Sequence, residues 1–409
     1  MKFKKPFKNR YFYYFLLLFL FFVGSVFVLR SLANFGRRVD LDDASPAVKI
    51  VRDNDQPATV FFSNEDTGGG NSDFLSIIEK EIDSAQYSLD AAVYSFKSER
   101  LREALYRAAK RGVAVRLLLS ARDQNQHEIF FADAPANFKR IEAGEREQAA
   151  GASLMHHKFL LIDGGHDNQK LLFGSFNWTD LQAAYDNSFL LLSQQADIIE
   201  AFSREFERLA VGLSGKKKMS DVSYKPFALD LQAGGYDYEL WFSPGSRNYN
   251  INARLAAAMA SAKENLRVLA WSLTDKDLAD SLLGTARRGL KVEIIADSYN
   301  LGNKDSLVAY LLKKKQEEKL DNLEIFADKE KISASESPAE NDEKNIDPFL
   351  HQHLLIVDGK TVFAGSGNWS RSGAFYNDES LLVSDESTLV EAFSASFSRQ
   401  RKEARNLAE

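Results

Sequence analysis

The sequence predicts an α/β protein built from two similar halves. Each half should have a mixed, mostly parallel sheet flanked by helices, and the halves should pack about a pseudo-two-fold axis. Short patterns recur at offsets of about 176 to 195 residues, and strand, helix and strand patterns alternate within each half. A charge-free apolar run near the N-terminus adds one predicted transmembrane helix.

The composition is that of a large folded chain without disulfides. Its 409 residues suffice for one large domain or two of ordinary size, 44% of them are hydrophobic, and none is cysteine. Disulfides and thiolate metal sites are therefore excluded, and we expect neither a metal nor another cofactor. Four of the six histidines lie in two short stretches, which favours acid–base or phosphoryl chemistry there.

The N-terminal segment predicts a membrane anchor. A basic cluster precedes residues 11–29, a 19-residue run without a charge, which is close to the length that crosses a bilayer as a helix. The positive-inside rule puts the N-terminus in the cytoplasm and the body outside it. The alternative is a signal peptide cleaved near Ala33, which would give a secreted protein. Residues 1–33 are thus interpreted as tail and anchor, and residues 34–57 as a tether.

Each half is predicted to contain a strand–helix–strand unit of a length that favours parallel pairing. Gly112 is the expected cap at the end of the first such helix. In the first half the predicted elements are strands over 87–94 and 113–119 around a helix over 98–111, a strand pair over 159–162 and 170–173, and a helix over 196–209. In the second half they are strands over 266–271 and 290–296 around a helix over 275–288, and a helix over 388–407.

The halves are predicted to cover residues 58–212 and 239–409, with a linker over residues 213–238. The linker contains three successive lysines, Lys216 to Lys218, which are interpreted either as a phosphate contact or as a solvated stretch. Residues 313–348 have the composition of a mobile loop. Because this loop leads into the second motif, both a lid and an inert excursion stay open as interpretations.

Two stretches carry the residues suited to chemistry. The first reads MHHKFLLIDGG and then LLFGSFNWT, and supplies His156, Lys158, Asp163, Ser175 and Asn177. The second reads HQHLLIVDGKTVFAGSGNWS, and supplies His351, His353, Asp358, Ser366 and Asn368.

These residue types suit cleavage of a phosphodiester without a metal. A neutral imidazole is a good nucleophile near pH 7 and can form a phosphohistidine. A second histidine on the opposite side can protonate the leaving oxygen. Lysine and asparagine can donate hydrogen bonds to the non-bridging oxygens as charge develops on them.

The duplicated motif resembles the phospholipase D superfamily over roughly residues 58–409. The first half is especially similar to the branch of small bacterial endonucleases and mitochondrial phospholipase-like proteins. The resemblance implies that His156 attacks phosphorus, and that His351 protonates the leaving group and then activates water or an alcohol. It also implies phosphoryl binding by Lys158, Asn177 and Asn368, with Ser175 and Ser366 nearby, and a structural part for Asp163 and Asp358.

Two departures from the family pattern leave open which histidine is the nucleophile. His353 stands where the family has lysine, so a permanent charge is lost. The family also carries an acid that orients a catalytic histidine. The second half keeps it as Glu379, whereas the first half has Ser188, and Asp186 on the same strand face is predicted to substitute.

The leading functional prediction is a membrane-anchored phosphodiesterase that acts on phospholipid headgroups as a monomer whose halves form one site. Beyond residue 38 the chain has 44 basic against 58 acidic side chains, which disfavours nucleic acid as a partner. A nuclease, a transphosphatidylase such as a cardiolipin synthase, and a non-catalytic scaffold are the alternatives. His157 is predicted to face away from the site. The four tryptophans are expected to pack in the core or to line an apolar approach.

Overall fold

The computed structural model describes residues 58–63, 73–146, 152–221, 224–233, 236–328 and 350–407. The predicted anchor and tether, residues 1–57, lie outside this range. Within it, no helix is both long and apolar enough to span a bilayer.

The described residues form two sheets, of seven strands in the first half and nine in the second. The strands of the first half are β1 Thr59–Phe62, β2 Ser88–Val93, β3 Ala114–Ser120, β4 Phe138–Ala143, β5 Lys158–Ile162, β6 Lys170–Gly174 and β7 Phe189–Ser193. Those of the second are β8 Phe227–Ala233, β9 Tyr236–Phe242, β10 Asn265–Ala270, β11 Lys291–Ala296, β12 Leu323–Ala327, β13 His353–Val357, β14 Thr361–Gly365, β15 Ser380–Ser384 and β16 Arg405–Asn406.

The helices alternate with these strands. In the first half they are α1 Phe74–Ser84, α2 Glu99–Lys110, α3 Gln124–Phe130, α4 Asp180–Tyr185 and α5 Ala196–Ala210. In the second half they are α6 Ile251–Ser261, α7 Lys276–Arg287, α8 Val308–Glu318, α9 Arg371–Phe375 and α10 Ser387–Glu403. The predicted strand–helix–strand units are thus present in both halves, and α2 begins after Ser98, whose hydroxyl accepts a hydrogen bond from the Leu101 N–H.

Both sheets are mixed, but the prediction that they are mostly parallel is wrong. The strand orders are β1-β7-β6-β5-β2-β3-β4 and β16-β12-β11-β10-β13-β14-β15-β9-β8. Only β2-β3-β4 and β10-β11-β12 are parallel. A helical crossover returns the chain in the same direction between these strands. In contrast, β5, β6 and β7 pair antiparallel, with a short turn between β5 and β6 and a longer connection that contains α4 between β6 and β7.

The two halves share one hydrophobic core. Helices α5 and α10 lie between the sheets and contribute Phe202 and Phe393 to this core. Phe202 packs against Phe159 of the first sheet and Phe242 of the second, with ring centroids 5.0 and 5.2 Å apart. The remaining faces are covered by α1 and α2 in one half and by α6 and α7 in the other. Burial of aromatic surface at the shared core therefore holds the halves together.

Two segments outside the predicted helices and strands contain regular structure. Residues 213–238 contain a 3-10 helix, Gly215–Ser220, then β8 and the start of β9, so they form part of the second half's sheet. The segment predicted as a loop from residue 313 begins inside α8 and continues into β12. Leu323 and Ile325 are fully buried there, an apolar pattern that the many charges obscured. Residues 329–349 lie outside the described range.

The motif aspartates close equivalent turns in both halves. Asp163 has φ 51° and Asp358 has φ 55°, in the left-handed region. The Asp163 carboxylate accepts hydrogen bonds from the backbone N–H groups of Gln86, Tyr87 and Ser88, at 2.7 to 3.1 Å. Burial opposes ionisation of Asp163, but these hydrogen bonds outweigh it and lower its pKa. Each aspartate thus ties the end of a motif strand to the start of β2 or β10.

We expect Asp163→Ala to lower the free energy of unfolding by about 2–3 kcal/mol, because three N–H groups lose a charged acceptor. Asp163→Asn should cost less, since an amide oxygen still accepts and asparagine tolerates positive φ. Urea unfolding of the purified chain measures both. The control is Asp167→Ala, at an exposed position of the same turn, and an equal loss from the control would contradict the assigned role.

Candidate active site

A histidine of the first half pairs with a glutamate of the second. His156 lies just before β5, and its Nδ1 is 2.8 Å from Oε2 of the fully buried Glu379. The His156 N–H donates to the backbone oxygen of Asp378 at 3.0 Å, and the Asp378 N–H donates to that of Leu154 at 2.8 Å. Ser366 also donates its hydroxyl to Glu379, at 2.9 Å. Side chains and main chain therefore join the halves at the same point.

This pairing sets the proton position on His156. Its Nδ1–H donates to the Glu379 carboxylate, which leaves the lone pair on Nε2. Burial, with help from the charge of Lys158, holds the pKa of His156 well below its usual range, so the ring is neutral. Burial raises the pKa of Glu379 to about 7, against the opposing effects of Lys158 and Ser366.

His351, from the other half, lies close enough to Lys158 and His156 for their charges to act on it. Burial lowers its pKa well below the ordinary value, and the charges of Lys158 and His156 lower it further. A backbone hydrogen bond at Ser175 raises the pKa of His351 and so opposes the effect of burial. A backbone hydrogen bond at Ser366 has the same effect on the pKa of His156. Each histidine therefore lies against the Gly-Ser turn of the opposite half. His156 is 6% exposed and His351 4%, so water has little access to either ring.

The first half has a serine, not a carboxylate, at the position equivalent to Glu379. The Ser188 N–H donates to the Ser63 hydroxyl at 2.8 Å, just as the Glu379 N–H donates to the Ser243 hydroxyl at 3.0 Å. Ser188 is thus the structural equivalent of Glu379. Its buried hydroxyl and Nδ1 of His351 both have no hydrogen-bond partner among the described residues. The two histidines consequently differ in how their protons are held.

Asp186 occupies the position of Asn377 rather than that of Glu379. The Ser63 hydroxyl donates to the backbone oxygen of Asp186 at 2.6 Å, and the Ser243 hydroxyl donates to that of Asn377 at 2.8 Å. Asp186 is buried. Its predicted part as a substitute acid stays a prediction.

Lys158 and His353 are the first residues of β5 and β13, opposite Val93 and Ala270 in the neighbouring strands. Lys158 donates from Nζ to the backbone oxygen of His156 at 2.6 Å, and burial lowers its pKa to about 7. Burial also lowers the pKa of His353, as does nearby His351. Neither ring nitrogen of His353 has a hydrogen-bond partner within the described residues. Because buried polar atoms are normally paired, these donors suit an anionic ligand.

The Gly-Ser turns bring two strands unusually close. A Cβ on Gly174 would lie 2.2 Å from the Phe189 oxygen, and one on Gly365 would lie 2.0 Å from the Ser380 oxygen. Only glycine fits at either place. The Ser175 hydroxyl accepts from the Phe189 N–H at 3.1 Å. Asn177 and Asn368 follow these turns, and the Oδ1 atom of each is buried without a hydrogen-bond partner among the described residues.

Sequence reasoning missed Tyr94 beside His156 and the arginine next to it, whereas Trp271 beside His351 is one of the four tryptophans expected in the core or along an apolar approach. The Tyr94 ring centroid lies 4.4 Å from that of His156, and the Trp271 centroid lies 5.7 Å from that of His351. Tyr94 and Trp271 each directly follow a central strand at the same point of the repeat, and this correspondence in the sequence could have identified them. Arg122 donates from Nη1 to the Tyr94 hydroxyl at 2.6 Å; no pattern in the sequence identified it. The other three tryptophans are buried, as expected for core residues.

Lys218 is not solvated, so that interpretation of the three lysines is wrong at this position, whereas Lys216 and Lys217 are exposed. Lys218 is fully buried, forms an ion pair with Glu205 and lies 2.7 Å from Asp378. His157 Nε2 lies 3.0 Å from Glu205, on the side away from His156. Lys218 became a core residue because two buried carboxylates, one from each half, converge on it. Two members of this ion cluster (Lys218, Glu205, Asp378 and His157) adjoin the catalytic pair in the chain: His157 follows His156, and Asp378 precedes Glu379.

The pKa shifts in the ion cluster indicate the pH range in which the cluster stabilises the fold. Burial opposes the charge of Lys218, but Asp378 and Glu205 outweigh it and raise its pKa. Its contribution is complete below the pKa of unfolded lysine and is lost as pH rises through the raised folded value. Lys218 and His157 hold the pKa of Glu205 at about 2 against burial. That contribution is present above the unfolded glutamate pKa and is lost as pH falls towards 2.

Comparisons with known proteins agree with this arrangement. A family model described as cardiolipin synthase, PLD-like domain, matches residues 78–210 and 255–401, one stretch in each half. Cardiolipin synthase A of Proteus mirabilis (strain HI4320) is 26% identical over 344 residues, which cover 77% of this chain and 64% of the synthase. Mitochondrial cardiolipin hydrolase of Danio rerio is 29% identical over 126 residues, which cover 31% of this chain and 52% of the hydrolase. The matches thus span about half to two thirds of these relatives.

A solved structure shares the fold over most of the chain. Phosphatidylserine synthase from Haemophilus influenzae Rd KW20 superposes with a TM-score of 0.58, and the match covers 82% of this chain and 86% of the synthase. Its sequence identity is 13%. The likeness therefore concerns the architecture.

We expect Lys218→Met to lower the free energy of unfolding by about 3–5 kcal/mol, because it leaves two buried carboxylates without a cation. Urea unfolding at pH 7 measures the change. Lys217→Met is the matched control, since Lys217 is the exposed neighbour and its loss should cost less than about 0.5 kcal/mol. Similar stabilities for the two variants would rule out a structural part for the ion cluster.

Proposed function

The chain belongs to the family described as cardiolipin synthase, PLD-like domain, and from this we propose that it is a phosphodiesterase of the phospholipase D type that cleaves phospholipid headgroup esters through a phosphohistidine. The observation that carries the proposal is the His156–Glu379 pair, at 2.8 Å. It provides a neutral imidazole whose Nδ1–H is held by a carboxylate, so that Nε2 is the nitrogen available as nucleophile.

His156 is the nucleophile in this mechanism. Its Nε2 attacks phosphorus while Glu379 holds the Nδ1 proton and stabilises the positive charge that forms on the ring. A carboxylate beside the histidine favours this step in the same way that it favours proton transfer by other buried histidines. Nδ1 of His351 has no hydrogen-bond partner in the part of the chain that the structure describes, so His156 is the better nucleophile of the two.

His351 acts as the acid and then as the base. A bound phosphodiester brings negative charge next to His351 and raises its pKa, so that the ring can carry a proton. As the bond from phosphorus to the leaving oxygen breaks, His351 gives that oxygen its proton. In the second step His351 takes a proton from water or an alcohol, the new oxygen attacks phosphorus, and the bond to His156 breaks.

The donors around the histidines stabilise the phosphoryl oxygens. Lys158 supplies a charge in a buried setting, where it acts more strongly than in water. Hydrogen bonds to the same oxygens can come from Asn177, Asn368 and His353. Ser175 and Ser366 lie in the adjoining Gly-Ser turns. His353 has no permanent charge, so Lys158 carries most of this stabilisation.

A phospholipid is the proposed substrate class. The relatives named above are a cardiolipin synthase and a cardiolipin hydrolase, and the body of the chain is acidic, which suits nucleic acid poorly. The predicted anchor over residues 11–29 would hold the body next to lipid headgroups on the outer face of the membrane. A nuclease is the alternative within the family. A non-catalytic scaffold is the alternative in another class, favoured by the changes at His353 and Ser188.

The proposal is tested with the full chain in mixed micelles and a phosphatidyl ester of p-nitrophenol. This leaving group departs without a proton, so His351→Ala should still form the intermediate but hydrolyse it slowly. We expect a stoichiometric burst of p-nitrophenolate and a phosphorylated peptide that contains His156, as measured by mass spectrometry.

His156→Ala should give neither burst nor adduct, whereas the exposed control His166→Ala should turn over normally. Cleavage of single-stranded DNA with no release of lipid headgroup would favour the nuclease. If no substrate is cleaved and no adduct forms, the scaffold alternative replaces the proposal.

The dependence of kcat/KM on pH should be bell-shaped with both limbs near pH 7. As pH falls, Glu379 with its pKa of about 7 takes up a proton and stops orienting His156. As pH rises, Lys158 with its pKa of about 7 loses its charge. Lys158→Arg keeps a charge at all these pH values, so its alkaline limb should move up by at least about one pH unit while the acid limb stays. An unmoved alkaline limb would assign it to another group.

A further inference from the structure

A tyrosine lies between an arginine and the proposed nucleophile. Tyr94 directly follows β2, at the edge of the sheet where β5 begins with Lys158. The Tyr94 ring centroid is 4.4 Å from that of His156 and 5.2 Å from Nζ of Lys158. The ring therefore packs beside both first-half groups to which the proposed mechanism gives the attack on phosphorus and the charge on its oxygens.

Arg122 fixes the direction in which the Tyr94 hydroxyl can donate. Its Nη1 donates to the hydroxyl oxygen at 2.6 Å, a short distance that is typical of a charge-assisted hydrogen bond. Because a guanidinium can only donate, the hydroxyl hydrogen must point elsewhere. No acceptor for this hydrogen is present among the described residues, and Tyr94 is only half-buried. The hydroxyl thus has a hydrogen to offer to a ligand bound beside His156.

The surroundings keep this hydroxyl protonated and polarised. Burial raises the pKa of Tyr94 above its ordinary value, while the charge and the hydrogen bond of Arg122 act against burial. Tyr94 therefore keeps its hydrogen at neutral pH and donates it under the influence of a fixed positive charge. Burial is the main cause of the low pKa of His156, and the charge of Arg122 adds to it. The arginine is thus close enough to act on the nucleophile as well.

The second half has the aromatic ring without this donor. Trp271 corresponds to Tyr94 at the same offset in the repeat, and its ring centroid is 5.7 Å from that of His351. Tyr299 corresponds to Arg122 and is 55% exposed. A ring beside a histidine therefore recurs in both halves, whereas the hydroxyl and the arginine that holds it occur in the first half. Packing against the histidine accounts for the ring and leaves the hydroxyl and the arginine unexplained.

We propose that Tyr94 is a further catalytic residue, whose hydroxyl donates a hydrogen bond to a non-bridging phosphoryl oxygen while His156 attacks, and that Arg122 is a positioning residue that acts through this hydroxyl. The inference rests on the proposed function. As phosphorus gains a fifth bond, negative charge builds up on its oxygens, and a donor that is already fixed in place stabilises this state more than it stabilises the bound ester. Tyr94 thereby supplements Lys158 in a site where His353 replaces the second lysine.

The attack step is measured as a burst of p-nitrophenolate from the phosphatidyl ester in mixed micelles. All variants are compared in the full chain that also carries His351→Ala, in which the intermediate should accumulate. We expect Tyr94→Phe to lower the rate constant of the burst about 10- to 100-fold, because the ring stays and one donor is lost. The ester concentration that gives half the maximal rate should change by less than about 2-fold, because the bond strengthens only as charge develops.

Tyr87→Phe is the matched control for the loss of a tyrosine hydroxyl. Tyr87 directly precedes β2, at the end opposite Tyr94, and is 51% exposed. Its variant should give the burst rate constant of the parent chain. An equal loss of rate in Tyr87→Phe and Tyr94→Phe would contradict the assigned role.

A double-mutant cycle tests whether Arg122 acts through Tyr94. Arg122→Gln should lower the burst rate constant about 3- to 10-fold when Tyr94 is present, because the hydroxyl loses a charged donor, and should leave the half-saturating ester concentration within about 2-fold. In the Tyr94→Phe background the same change should lower the rate constant by less than about 2-fold. Equal effects in both backgrounds would mean that Arg122 acts on the substrate or the fold directly.

Orthovanadate separates this inference from the proposed function, because it adopts the five-coordinate shape of the attack step and needs no turnover. Calorimetry with chains that retain His351 should show that Tyr94→Phe weakens vanadate binding about 10-fold and phosphate binding by less than about 3-fold. An unchanged burst rate constant in Tyr94→Phe overturns the inference even when the ester is hydrolysed. Vanadate binding that depends on Tyr94, without a burst from any ester, supports the donor and overturns the proposed function.

Discussion

The structure depends on a carboxylate of one half held against an imidazole of the other. Glu379 reaches His156 across the boundary between the halves, and both are almost fully buried. A buried charge is costly unless it is hydrogen-bonded, so the pair forms only if the two sheets meet in one register. The backbone hydrogen bonds between Asp378 and residues 154 and 156 impose that register. The contacts that bring the two halves together are therefore also the contacts that place the His156 imidazole against its carboxylate.

Behind this pair lies a set of buried ions that would each be unfavourable alone. Lys218 stands between Glu205 of the first half and Asp378 of the second. His157 and Asp378 are the chain neighbours of His156 and Glu379. The ion cluster therefore fixes the main chain that positions the His156–Glu379 pair. Such a network is weak support for stability and stronger support for a unique arrangement. Here that arrangement is the relative placement of two halves.

Local sequence patterns predicted much of the secondary structure but few of the contacts between the two halves. The helix that ends before Gly112 and the strands on either side are visible in the sequence because apolar spacing and a capping glycine act locally. The order of strands, and hence the share that is antiparallel, depends on long-range pairing. Lys218 looked like one of three solvated lysines because its partners are distant in sequence. The motif identified Glu379 as an orienting acid, but only packing shows that it serves the histidine of the opposite half.

The difference between Ser188 and Glu379 makes the two halves unequal partners. Two copies of the first half would bring the histidine and the lysine twice, with Ser188 at the position of Glu379. Two copies of the second half would bring the acid twice, with His353 in place of the lysine. Each half thus holds a group that the other lacks, and the complete set of side chains exists only where the two different halves meet.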